Sequence, residues 1–416
     1  MQQARYKHIF LNPFYWFATI WIVVLLSYQL QWTTLYRELD ITLFLFFGIA
    51  ILVSLILGWL YAKFLKRQKL TYKHLSTKVV YSLVLSVSIG FLLNFIYAKH
   101  IPLIDELTNS TFTYMDFKGI PVFHVLLVTF TVFISVYFYY CFLCETLKSS
   151  QRRYLLSSII CFFWLMTLYN RAALLYVIFM CAIIRLSMMK KIKVRHIFFC
   201  FILAVILLWL FGIFGNIRSG SSWNDSSYII EIAQIDLDKY PSFLPQEFCW
   251  AYVYIVSPLG NLNNQVLNGV SNFNLTGLMY YIFPDAISHR IFPTLDTSFE
   301  LAQPALNVCT GFAGVYKFGG FGGMILMYVC MSFMIIGIGY LTQQNKYSFV
   351  ANALLSCIAI LMFFDDFVYY TGFTFSLFYT CIPIFFNSKR NRIKNAQSCK
   401  ESLYSTKTIS NGSEKQ

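Results

Sequence analysis

The chain has 416 residues, of which 58% are hydrophobic, 19% aromatic and only 12% charged. An ordinary soluble domain carries roughly 25% charged residues, so this composition excludes a water-soluble globular protein and points to a membrane one. The net charge of +14 is gathered in short clusters at the ends of apolar runs, a pattern that reports orientation in a bilayer and argues against a nucleic-acid partner.

Several apolar runs approach or exceed the roughly 20 residues that a helix needs to cross the hydrocarbon layer, and alternating strands of the barrel type are absent. The expected fold class is therefore all-α, a polytopic transmembrane helix bundle of about ten spans (ten to twelve), since helices and closed barrels alone satisfy the backbone in lipid. The spans fall at about 14–30, 41–62, 79–97, 121–144, 154–169, 172–189, 197–215, 320–341, 348–364 and 370–386. Spans one to seven thus occupy 1–215, a long outer loop occupies 216–305, spans eight to ten lie within 306–390, and 391–416 reads as a disordered cytoplasmic tail, being polar and rich in Ser and Thr. The first run follows Arg5 and Lys7 as a signal peptide would, but no small-residue cleavage motif follows it, so it is read as a retained span.

With the N-terminus inside, 24 of the 32 Lys and Arg residues fall on the inner side, and the outer side takes 15 of the 18 acids. That asymmetry orients the chain N-in and C-in. The 11 cysteines lie mostly within apolar runs, where a thiol behaves as a small hydrophobe. Only Cys249 and Cys309 are placed where a disulfide would form, and no spacing pattern supports one.

A loop as long as 216–305 is usually functional. It holds two apolar pieces too short to span, FCWAYVYIVSP and LTGLMYYIFP, which are expected to lie on the membrane surface as short helices, and NDSS at 224–227 supplies N-cap residues for another. No internal repeat divides the chain into the paired halves common in transporters.

Charged groups at the outer water boundary are the candidates for chemistry. Arg171, in LYNRAALLY, opens span six, where it either snorkels or presents a fixed guanidinium beside free backbone N–H groups. Arg218, in FGNIRSGSSW, ends span seven with Gly220 freeing the backbone behind it, and Arg290, in PDAISHRIFP, lies between two prolines. Three converging arginines suit a pyrophosphate, because the guanidinium fork matches phosphate oxygens. His289 is a candidate general base if it reaches a sugar hydroxyl. The acidic pairs ELD at 38–40, DE at 105–106, DLD at 236–238 and DD at 365–366 form a rival, metal-dependent possibility, although such patterns arise by chance in most outer loops. No zinc-ligand spacing, nucleotide-binding glycine motif or GxSxG is present.

Six glycines crowd NVCTGFAGVYKFGGFGG at 307–323. Lys317 precedes the last of them, unlike in a phosphate-binding loop, so the stretch reads as a hinge and packing seat: Gly311 and Gly314 for turn geometry, Gly319 and Gly323 as a GxxxG contact for a neighbouring helix.

NRAALL between two spans, a basic inner loop, FGNIRSG ending a span, YIVSPLGNLNN and SHRIFP in the long loop, and the glycine stretch entering the next span together resemble the Wzy-type O-antigen polymerases. The likeness is detailed over residues 155–340 and extends elsewhere only in hydropathy. It implies an inner-membrane glycosyltransferase that polymerises undecaprenyl-pyrophosphate-linked repeat units on the periplasmic face with inversion, needs no cofactor or metal, and works with a chain-length regulator protein as partner. On that resemblance Arg171, Arg218 and Arg290 would stabilise the pyrophosphate. The base is left open among His289, Glu300 and Asp296, with Asn307, Tyr316 and Lys317 as further substrate-binding candidates. Alternatives are an O-antigen ligase, a metal-using glycosyltransferase, and a flippase or transporter; the last is disfavoured because spans two, three, seven and eight carry no charge.

Overall fold

The computed structural model describes residues 8–67, 72–108, 116–169, 171–189, 193–293, 295, 298–343 and 345–382. The tail at 391–416 and Asp296 lie outside them. Among the described residues the secondary structure is helical, with one isolated antiparallel bridge between Thr33 and Ile235. A short 3-10 turn (His8–Leu11) precedes α1 (Pro13–Gln29), α2 (Ile41–Arg67), α3 (Thr77–Ala98), α4 (Pro102–Leu107), α5 (Phe123–Cys144), α6 (Lys148–Thr167), α7 (Arg171–Met188) and α8 (Val194–Arg218). The long loop then forms α9 (Ser227–Ile232), α10 (Phe248–Leu267), α11 (Leu275–Ile282) and α12 (Asp285–Ile291). The chain continues through α13 (Ala313–Thr342), α14 (Ser348–Leu361) and α15 (Thr371–Ile382).

Among the described residues five helices, in α2, α3, α5, α8 and α13, are long and apolar enough to cross a membrane. This makes the chain a multi-pass membrane protein. The faces they leave open agree with that: Leu45, Ile49, Leu52, Ile56 and Trp59 of α2 are exposed at helical spacing, an arrangement that water would penalise and lipid accepts. Shorter apolar helices, α1, α7, α14 and α15, fill positions where spans were expected.

Local sequence sets the helix ends. Asn12 caps α1 by accepting from Phe14 N, Pro13 occupies the first turn, and the same Asn12 side chain donates to Gly58 O at 2.7 Å, fixing α1 on α2. Asp40 caps α2 through Thr42 N and Leu43 N. Centrally, α14 is buried along nearly its whole length and packs on α1, α5, α7 and α13. Its small residues, including Ala351, Ala353, Ser356 and Ala359, permit that close approach.

Two expectations about the long loop are corrected. FCWAYVYIVSP is not a short surface piece; it begins α10, a 20-residue helix buried on most sides and packed on α1, α8, α9 and α13. The reason is that its polar second half finds partners inside the protein. Asn261 donates to Leu306 O and Val308 O, and Asn263 accepts from Asp40 N while donating to Tyr28 Oη and Glu38 O. In contrast, LTGLMYYIFP forms the short α11, as expected. The NDSS cap is realised in part, with Asp225 accepting from Ser227 N, but α9 stops after six residues. Cys249 and Cys309 are free buried thiols, so they do not form a disulfide.

The glycine stretch is also revised. α13 begins at Ala313, seven residues before the expected span, and breaks at Gly320, whose φ of 56° and ψ of −149° only glycine adopts readily. Neither Gly311 nor Gly314 has a positive φ. Both instead permit contact, since a Cβ on Gly314 would stand 2.4 Å from the Tyr281 ring and one on Gly311 would stand 3.0 Å from Asp365 O. Gly319 and Gly323 face Leu278 of α11, not a spanning helix, and Gly323 also passes close to Val315 O on its own chain. Replacing Gly320 by Ala should destabilise the protein by about 1–3 kcal/mol through backbone strain alone. Gly322→Ala, with nothing within 4 Å of the new Cβ, should leave the thermal midpoint of the detergent-solubilised protein near that of the wild type.

Candidate functional site

The site is built around the turn at 362–370, between α14 and α15. Its two acids, Asp365 and Asp366, fold the turn upon themselves. Asp366 Oδ1 accepts from Val368 N (3.1 Å) and Tyr369 N (3.0 Å), and Asp365 accepts from Asp366 N (2.7 Å) and Tyr370 Oη (2.9 Å). Asp366 is only 5% exposed and its Oδ2 has no hydrogen-bond partner. Burial pushes both carboxyls above the ordinary aspartate value. The glycine stretch supports the turn from beneath, with Gly311 N donating to Met362 O at 2.9 Å.

Helix α12 docks on the far side of the turn. Asp285 N donates to Tyr369 O (2.8 Å), and Asp285 Oδ1 accepts from Thr371 N (3.0 Å), from the Thr371 hydroxyl and from Ala286 N. This clamp places His289 against two tyrosines: Nδ1 lies 3.1 Å from Tyr280 Oη and Nε2 lies 3.3 Å from Tyr369 Oη. His289 and Arg290 are both exposed.

Arg218, at the end of α8, is linked to the turn through Tyr254. Its guanidinium donates to Tyr254 Oη (3.1 Å) and sits 5.8 Å from the centre of the Trp250 ring, and Tyr254 in turn stacks on Phe364 at 6.1 Å with planes 12° apart. Asn216 fixes this end of α8: it accepts from Trp250 Nε1 (2.7 Å) and donates to Trp223 O and Ser226 Oγ. Gly212 and Gly215 let α8 close on α10, since a Cβ at either would collide with Glu247 or Trp250. Gly220 has a φ of 84°, so the expectation that it frees the backbone after Arg218 holds.

Arg171 is the first residue of α7, and its side chain lies outside the described positions. The helix places it nonetheless. Tyr176 hydrogen-bonds Leu354 O and meets Phe373 at 4.5 Å. At 1.5 Å per residue Arg171 stands about 7.5 Å beyond Tyr176, and the end of α14 stands about 10 Å beyond Leu354. The start of α7 therefore lies level with the 362–370 turn. Arg218 and His289 are thus each linked to this turn through a tyrosine, Arg290 adjoins His289, and the start of α7 lies at the same end of the bundle.

The remaining candidates are less concentrated. Lys317 Nζ donates to Ser298 O (2.7 Å), drawing the exposed Glu300 segment toward α13, and Phe318, Phe299 and Tyr369 all stack around Tyr281, which separates that segment from the turn. Asn307 is exposed on a strap whose neighbours, Leu306 and Val308, are held by Asn261. Tyr316 is buried against Phe321, beside Ser271 and Asp40, and so faces the α1–α2 connection and not the arginines. Of the other acid pairs, Asp40 is used as a helix cap, Asp236 pairs with Lys239 at 3.3 Å, and Asp105 pairs with His100 at 3.3 Å. Among the described residues no three His, Cys, Asp or Glu side chains gather as metal ligands.

Tyr280 and Tyr369 were not legible as site residues: one is the first tyrosine of a YY pair inside an apolar helix, the other follows a valine, and only the fold sets both beside His289. No family model, curated protein or solved structure matches the chain.

Asp366→Asn should test the buried turn. Because the folded carboxyl titrates above its unfolded value, ionisation opposes folding as pH rises beyond the ordinary aspartate range. The Asn variant, which keeps the Oδ1 acceptor, should melt at a higher temperature than the wild type at pH 7, and the gap should close as pH falls toward 4.

Proposed function

We propose that the protein is a polysaccharide polymerase of the Wzy kind, elongating a glycan carried on undecaprenyl pyrophosphate at the periplasmic face of a bacterial inner membrane. In this reading α1, α2, α3, α5, α6, α7, α8, α13, α14 and α15 cross the bilayer with both termini in the cytoplasm, as the distribution of basic residues argues. The observation that supports the proposal is the 362–370 turn, which holds His289 through Tyr369 and connects to Arg218 through Phe364 and Tyr254. The donor already holds a pyrophosphate leaving group, so the protein must place the acceptor hydroxyl, neutralise charge developing on the phosphates, and take up one proton. The arginines serve the second task. His289 serves the third better than Glu300, because it is fixed at both ring nitrogens. A chain-length regulator would be the protein partner, and the bilayer supplies the lipid-linked substrate.

The ligase alternative uses the same donor chemistry and differs in the acceptor. A deletion strain separates the readings. Surface polysaccharide reduced to single repeat units, with the ladder restored by the intact gene, supports polymerisation. Full-length chains without the gene would end the proposal, and loss of even the single unit would favour a ligase or flippase. Complementation with Arg218→Ala or Arg290→Ala should leave the ladder missing, each removing a charge stabiliser worth about 10²–10³ in rate.

A further inference from the structure

The two tyrosines at His289 have a role that the proposed reaction does not by itself assign. Both ring nitrogens lie within hydrogen-bonding distance of a phenolic oxygen. The two phenols come from separate elements, Tyr280 from α11 and Tyr369 from the 362–370 turn. Neither phenol is loosely held. Tyr280 and Tyr369 are 4% and 8% exposed, so packing fixes their rings. The main chain of Tyr369 is gripped on both sides, its N–H by Asp366 Oδ1 and its carbonyl by Asp285 N. The carbonyl of Tyr280 accepts from the buried Ser288 hydroxyl at 2.7 Å, locking α11 to the residue before His289. The histidine itself is exposed. An exposed imidazole held at both nitrogens by buried phenols is oriented far more tightly than a surface histidine needs to be.

We propose that Tyr280 and Tyr369 are positioning residues that hold His289 as the proton acceptor and stabilise the imidazolium it becomes. The inference rests on the polymerase reading. In the step, the acceptor hydroxyl gives its proton to His289 Nε2 and its oxygen bonds to the anomeric carbon of the donor. The bond from that carbon to the pyrophosphate oxygen breaks, and the electron pair leaves with the pyrophosphate. In the tautomer this requires, Nδ1–H donates to Tyr280 Oη; the longer Nε2 contact to Tyr369 opens to admit the hydroxyl and re-forms with the new Nε2–H after proton transfer. A protonated ring has two N–H donors, and the phenols supply two oxygens to receive them. Hydrogen bonds to the charged ring exceed those to the neutral ring by roughly twofold, so the phenols favour the imidazolium formed in the step. The other titratable groups on the elements that carry the ring and its two phenols are Asp285 and Arg290 on α12, Tyr281 on α11, and Asp365, Asp366 and Tyr370 in the turn. All of them remain in the variants below.

The test uses full-length protein in lipid nanodiscs and lipid-linked repeat units extracted from the deletion strain, with elongation measured across pH. If the wild type does not elongate these units, the polymerase reading fails. If it does, Tyr280→Phe and Tyr369→Phe should each move the acid limb of the rate profile to lower pH and lower kcat, on the order of tenfold for Tyr280→Phe, with KM little changed. An unmoved limb, or one displaced to higher pH, overturns the positioning role while leaving the polymerase reading intact. Should either phenylalanine variant unfold, His289→Gln at the exposed position decides the matter. Elongation should fall on the order of 100-fold, and what remains should lack the acid limb; an unchanged rate overturns the proposal.

Discussion

Burying polar side chains on one helix is the constraint from which the rest of this molecule follows. Asn261 and Asn263 of α10 are fully enclosed, and an unpaired amide in such a place is expensive. Their partners are backbone groups of other segments: the 306–308 strap for one, the α1–α2 connection for the other. Each amide therefore fastens a loop that would otherwise be free. Tyr36, on the α1–α2 connection, lies flat against Gly260, where a Cβ would stand 2.3 Å from its ring. The long connection between α8 and α13 is consequently not a flap over the bundle but part of its core.

That arrangement explains how a site can be assembled from distant sequence. With α10 fixed, Tyr254 and Trp250 receive Arg218 from one side, and Phe364 carries the contact into the 362–370 turn. The turn is rigid because its own acids bind its own amides. From the other side α12 is pinned by Asp285, so that His289 meets Tyr369. Charged residues at the edge rest on aromatic and amide supports within, and the supports do the positioning.

Hydropathy made most of the helical framework legible, since apolar runs report burial in lipid whatever their neighbours are. The expected spans at 14–30, 41–62, 79–97 and 121–144 coincide with α1, α2, α3 and α5 to within several residues. α10 escapes a hydropathy reading for the same reason. Its Asn and Gln residues lower its hydropathy, and a sequence carries no sign that an amide will find a carbonyl some 45 residues away. Arg218 and His289 were visible as charges beside loops, whereas Tyr280 and Tyr369 were two among 29 tyrosines. The glycine stretch shows the same limit: local chemistry identifies a residue that lacks a side chain, but only packing tells whether the missing atoms serve a break in the helix, as at Gly320, or a neighbour, as at Gly311 and Gly314.

The neighbours of α10 also impose an order on biosynthesis. The helix packs on α1 and α8, which precede it, and on α13, which follows it. The Asn261 amide closes on residues 306 and 308, which are translated 45 and 47 residues after it. When α10 leaves the ribosome the partners of Asn263 already exist, whereas the carbonyls that receive Asn261 do not. A chain truncated before residue 306 would leave the Asn261 amide donors without these carbonyls inside an otherwise buried helix.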